Sequence, residues 1–231
     1  HLSIRRQRQM CIRDRRYPKE KWIHELLGRH YRNWDLDKAI EELNKALELD
    51  PKYGEALNLI AYSYTDIGNY EKAIEYFKKY ANVSPGDANP FDGMADTYFK
   101  MGKLDEAIAK YKESLEVKPN FWSTPKIGYI CAFKEDYSEA QKWIDKYINI
   151  ALSPSIKRGG YLWKGFYHYW RGSLEKSLND LQGAEELAEA VGDDFGKAFV
   201  SFFKVWIYYD REELELSRKY NEAWLDVLSL I

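Results

Sequence analysis

GEALNLIAYSYTDIGNYEKAIEYFKKYANVSP (residues 54–85) is echoed by ANPFDGMADTYFKMGKLDEAIAKYKESLEVKP (residues 88–119). Laid one under the other, Leu57 stands over Phe91, Ile60 over Met94, Ala61 over Ala95 and Tyr64 over Tyr98. Gly68 stands over Gly102, Ala73 over Ala107, Phe77 over Tyr111 and Pro85 over Pro119, every pair 34 residues apart. A fixed period of this length is the signature of a helix–turn–helix array. Leu57, Ile60, Ala61 and Tyr64 fall at i, i+3, i+4 and i+7, one stripe of a helix. Ala73, Ile74, Phe77 and Tyr80 form a second stripe. Between them, Asp66 to Tyr70 reads as a turn, with Gly68 as the left-handed residue that ends the first helix. Ala61 and Ala73 are small enough to let the two helices approach closely. Pro85 cannot continue a helix interior and closes the second one. Neither helix can bury its stripe alone, so stability is shared with the next copy.

The same marks extend outward. Ala39, Ala73 and Ala107 are evenly spaced, as are Pro51, Pro85 and Pro119. Trp34 replaces the turn glycine of the first copy, so that turn is expected to differ. Asp35 is placed to N-cap a helix beginning near Leu36. From Ala107 to Ala140 the step is 33, one residue short. Pro125 falls in a first helical turn, where a missing N–H is harmless, and Pro154 reads as closing the fourth copy. A fifth copy carries Gly165, His168, Gly172, Ser177 and Leu181 on longer helices. A last helix pair, 194–209 and 212–231, follows the pattern only weakly.

The order of large apolar, small, Tyr, Gly, Ala, aromatic and Pro resembles the tetratricopeptide repeat. The resemblance implies an all-α fold, a right-handed α-α superhelix (solenoid). Its five repeats are expected at 20–53, 54–87, 88–120, 121–157 and 158–191, within 17–191, followed by a divergent, truncated sixth pair at 192–231.

Residues 1–16 stand outside the pattern. RRQRQMCIRDR resembles translated sequencing-adapter sequence, which makes 1–16 a non-native leader; a basic targeting or nucleic-acid arm is the alternative. Setting aside its six Arg and one Asp leaves 29 Lys+Arg against 36 Asp+Glu, a net charge of −7. A mildly acidic body lacks the basic footprint of a nucleic-acid binder. No run of eighteen apolar residues exists, so no membrane span is expected. Two cysteines, Cys11 and Cys131, show no metal-ligand spacing and fit a reducing compartment, here taken as the cytoplasm.

Catalytic constellations are missing from the sequence: there is no Gly-rich phosphate loop, nucleophile elbow or HExxH. His24 and His30 are six apart and do not share a helix face as i, i+4 ligands would. His168 reads as a packed, hydrogen-bonded histidine, and Cys131 as a small buried hydrophobe. Glu185-Glu186 and Glu212-Glu213 read as solvated helix faces. Neither enzyme activity nor a cofactor is expected.

In the resembled family the first helices line a concave groove that holds a protein or peptide partner. Carried over by position, the groove comprises Asn58, Tyr62, Asn89, Asp92, Asp96, Phe99, Trp122, Tyr129, Phe133, Phe166 and Tyr169. Asn58 and Asn89 would bond a peptide backbone. Tyr62, Phe99 and Tyr129 are expected to face the groove, because other residues already fill the packing stripes of their helices. Trp163, Trp170 and Trp206 are expected to pack against one another. The positions of a Lys/Asn/Arg carboxylate clamp hold residues such as His24, Gly28, Leu59, Asn89 and Gly93, so that clamp is not expected. The function implied is a protein-interaction scaffold. The alternative is the C-terminal sensor or regulatory region of a larger bacterial signalling protein, a kinase or transcription regulator, whose N-terminal domain is missing. The apolar end of the last helix, with Trp224, Leu225, Leu230 and Ile231, is expected to continue into further chain or to dock, self-association included.

Overall fold

The computed structural model describes residues 20–229, so the leader 1–16 and the terminal Leu230 and Ile231 lie outside the described residues. The described chain is all-α, with twelve helices arranged as six consecutive pairs. The chain divides into two compact units, one through Phe121 and one from Trp122.

The amino-terminal unit holds three pairs. They are α1 (Lys21–Tyr31) with α2 (Leu36–Leu49), α3 (Gly54–Ile67) with α4 (Tyr70–Val83), and α5 (Asn89–Lys100) with α6 (Leu104–Val117). Asp35 caps α2, its carboxylate accepting from the Lys38 N–H at 3.0 Å. Gly68 and Gly102 turn the chain at φ +85° and +74°, conformations that cost an L side chain roughly 1–2 kcal/mol. At Trp34 the turn has no left-handed residue, and the indole stands exposed.

Burial follows the two stripes. Leu43 and Ala46 of α2 pack with Ala56, Leu59 and Ile60 of α3. Phe77 of α4 packs with Ala61 of α3 and Met94 of α5. Gly93 makes that last contact possible, since a Cβ there would stand 2.2 Å from the Phe77 ring. The same contact excludes an arginine at Gly93, so the carboxylate clamp has no room to form.

The carboxy-terminal unit holds α7 (Ser123–Phe133) with α8 (Tyr137–Asn149), α9 (Pro154–Trp170) with α10 (Leu174–Ala190), and α11 (Asp194–Asp210) with α12 (Leu214–Leu228). Pro154 opens α9 instead of closing the fourth copy, which moves the expected boundary at 157/158 inside a helix. Proline is at home there, because the first helical N–H has no partner to lose.

The last two pairs obey a second period, of 40 residues. Helices α9 and α11 start 40 apart, as do α10 and α12. Lys164 reaches Asp145 at 2.8 Å, and Lys204 reaches Glu185 at 2.6 Å. Ser177 donates to the Gly165 carbonyl at 2.7 Å, and Ser217 to that of Val205 at 3.0 Å. Gly172 and Glu212 both turn at positive φ. The sixth pair therefore copies the fifth and is divergent only against the 34-residue pattern. Its Glu185 is no solvated face, because it holds the ammonium of a lysine that is 4% exposed. Trp224 of α12 packs against Phe199 and Phe202 of α11, while Leu225 stays exposed.

Candidate functional site

In the amino-terminal unit the 34-residue period stacks equivalent side chains of α1, α3 and α5. Arg32, Asp66 and Lys100 form one such row, with Asp66 accepting from Arg32 at 2.9 Å and from Lys100 at 2.8 Å. Burial works against its charge, but those two hydrogen bonds outweigh burial and hold the carboxyl below the ordinary aspartate value. Such a depressed value stabilises the fold above pH 3.8, and the contribution fades as the pH falls through the lower folded value. The group is partly solvated, so Asp66→Asn should cost less than about 1 kcal/mol at pH 7. The same variant should flatten the acid limb of a stability–pH curve; an unchanged limb would show that the row is fully screened.

A second row sets Tyr62 beside Asp96. The Tyr62 hydroxyl donates to Asp96 at 3.3 Å, and the Tyr111 hydroxyl from α6 donates to the same carboxylate at 2.5 Å. Burial first, and then the negative Asp96, push both phenols well above their ordinary value. Tyr62 also meets Phe77 edge to face at 5.1 Å. It is thus largely a packing residue, which the spare-position argument had placed in the groove. Asp92 is 7% exposed and offers a partner almost no surface. Asn89 sits at the start of α5 with its amide on Asp87 at 2.7 Å. Phe99 is half-buried. Asn58 is half-buried with its Oδ1 enclosed and without a hydrogen-bond partner.

The carboxy-terminal unit presents a different face on α7, α9 and α11. Trp170 lies among Tyr129 at 6.2 Å, Phe133 at 6.4 Å and Phe166 at 6.1 Å, and Tyr129 also meets Trp163 at 5.8 Å. Phe166 meets Phe203, which meets Phe199. Of the expected groove residues, Tyr129, Phe133 and Phe166 are thus brought together. Tyr169 stands beside them, its hydroxyl on Asp210 at 2.7 Å, and burial with that bond raises the phenol to about 12. Trp122 is exposed at the N-cap of α7.

Trp163, Trp170 and Trp206 are 38%, 49% and 50% exposed, not sealed against one another as expected. Longer helices supply more ring-bearing positions than the neighbouring helices can cover. A cavity of about 430 Å3 opens among Tyr129, Gly159, Leu162, Trp163, Phe166, Phe199 and Phe203. A second, of about 190 Å3, lies among Phe166, Tyr169, Phe202, Phe203 and Trp206 with the small and aliphatic residues beneath them. The sequence reading did not place Phe199 and Phe203 here. Comparing the chain with itself at 40 residues would have found Phe203, because Trp163 and Phe203 are equivalent, as are Phe166 and Trp206.

Elsewhere, His168 bonds Asp180 at 2.6 Å, the packed histidine expected, with a partner in α10 that spacing alone did not indicate. The open recess beside it is polar, but Lys164 is paired with Asp145 and Glu175 with Arg211. Cys131 is buried in α7. Among the described residues no three His, Cys, Asp or Glu side chains converge to hold a metal, and no helix is long and apolar enough to cross a membrane.

Comparisons with known proteins agree with this architecture. Residues 53–120 match one tetratricopeptide repeat model and residues 33–53 match another. A comparison with curated protein sequences returns no match. The crystal structure of MamA is similar with a TM-score of 0.55 and 23% identity, over 72% of this chain and 96% of that one. A thermophilic repeat protein from Thermus thermophilus, TTC0263, is similar with a TM-score of 0.59 and 18% identity, over 89% and 100% of the two chains. The Cut9–Hcn1 hetero-tetramer structure of the APC/C aligns with a TM-score of 0.65 and 14% identity, over 94% of this chain and 42% of that one. At these identities the likeness concerns the fold. With the period, the paired helices and the matched models in agreement, the chain is a tetratricopeptide repeat protein.

Proposed function

We propose that the chain is a protein-interaction scaffold whose working surface is the aromatic first-helix face of its carboxy-terminal unit. The observation that carries this reading is the cluster of half-exposed rings on α7, α9 and α11 around a cavity of about 430 Å3. Monomeric proteins rarely leave so much contiguous apolar surface to water without using it. Rigid aromatic side chains supply large contact area at small entropic cost and dominate binding hot spots. The amino-terminal unit offers less: Tyr62 is committed to packing and Asp92 to burial, and the row of Arg32, Asp66 and Lys100 is paired within itself.

Capture from host lysate by the immobilised full chain tests the reading, beside a Trp163→Glu/Trp206→Glu chain. Both side chains are solvated enough for the fold to tolerate the change. Partners retained by the parent chain should be lost by the variant while its helicity is unchanged. The same partners on both chains would move the working surface elsewhere.

A further inference from the structure

We infer that the carboxy-terminal face accepts an amphipathic helix of the partner, seating two apolar side chains one helical turn apart. This rests on the reading of that face as the partner-binding surface.

The two cavities are neighbours. They share Phe166 and Phe203, whose rings meet edge to face at 5.8 Å and form the wall between them. Along α9 the larger is lined by Gly159, Leu162, Trp163 and Phe166, the smaller by Gly165, Phe166 and Tyr169. The offset is about four residues, or roughly 6 Å of helix. Side chains at i and i+3 or i+4 of a partner helix are separated by about the same distance.

The lining decides between a helix and an extended peptide. An extended chain must find partners for its backbone N–H and C=O groups at regular intervals. The walls here are almost wholly ring and aliphatic carbon. The Ser177 hydroxyl is buried on the Gly165 carbonyl, and the Tyr169 hydroxyl is on Asp210. A helix satisfies its own backbone and asks only for apolar contact. The unequal volumes assign an aromatic anchor to the larger cavity and a branched aliphatic one to the smaller.

Two displayed libraries panned against the full chain would test this: 16-residue alanine-based helices with one face randomised, and 12-residue peptides with a central Pro-Pro. The helical library should enrich, with large apolar residues at i and i+3 or i+4. A synthetic peptide of the enriched sequence should bind a Gly159→Leu chain at least about tenfold more weakly. That substitution fills the larger cavity without strain, because a Cβ at Gly159 meets only the Tyr147 hydroxyl, at 3.8 Å, and leucine is the better helix former. Enrichment of proline peptides alone, sensitive to Trp163→Glu/Trp206→Glu, would overturn the helix and leave the face standing. Peptides insensitive to all three substitutions would overturn both readings. A helical library that fails to enrich also overturns the inference.

Discussion

Truncating Phe77 to alanine should destabilise the amino-terminal unit by about 3–5 kcal/mol, the range for emptying a fully buried aromatic site. Phe77 is completely buried, the bulkiest of the side chains so enclosed, and joins three helices: α4, which carries it, Ala61 of α3 and Met94 of α5. Collapse around the void is hindered, because the surrounding positions are already small. Gly93→Ala attacks the same contact from the other side. The added methyl would lie 2.2 Å from the ring, an overpacking worth roughly 1–3 kcal/mol, less up to about 1 kcal/mol gained in helix propensity. The two sites touch, so their effects should not add. Phe77→Leu combined with Gly93→Ala should be more stable than the sum of the single changes. Urea unfolding of the four chains reads this directly. A Phe77→Ala cost below about 1 kcal/mol would mean that α3, α4 and α5 do not close around this ring.

Glu185→Gln should be the second costly change, again by about 3–5 kcal/mol, because it strands a buried ammonium. Lys204 is 4% exposed, bonds Glu185 at 2.6 Å and lies 5.0 Å from the centre of the Tyr220 ring. Lys204→Met removes the charge along with its need for a partner and should be nearly neutral. In that background Glu185→Gln should then cost less than about 1 kcal/mol, since a partly solvated glutamate with no charge to hold is easily replaced. The 40-residue equivalent is an internal control. Lys164 and Asp145 are 23% and 44% exposed at the side chain, so Asp145→Asn should cost no more than about 1 kcal/mol. Thermal unfolding of these variants separates the cases, and equal losses at Asp145 and Glu185 would show that burial does not set the difference.

Architecture was readable from the residues because the repeat restates itself in them. Gly68, Ala73 and Pro85 each recur 34 residues later, and each has one physical job: a left-handed turn, a close approach or a stop. Asp35 announced its cap because a short acceptor before a helix has little else to do. The face was harder to read. Tyr62 looked surplus to its packing stripe, yet Phe77 and Asp96 engage it from α4 and α5, and no spacing within α3 reveals that. Trp163 and Trp206 looked like core because aromatics at helical spacing usually are. Their exposure follows from helices of 17 residues, whose width outruns the neighbours that would cover them. A second period was also missed, since fixing attention on 34 hides 40: Lys164 and Lys204 carry no family mark and show their equivalence only through Asp145 and Glu185.

The two periods also bear on how the chain acquires its structure. The repeated contacts join residues 12, 19 or 34 apart in sequence. Closing such short loops forfeits little chain entropy, and that loss grows only slowly with length. A fold assembled from neighbouring segments has low contact order, the class that reaches its native state fastest. Any helix pair can begin the process and recruit the next, so no single distant encounter has to be awaited.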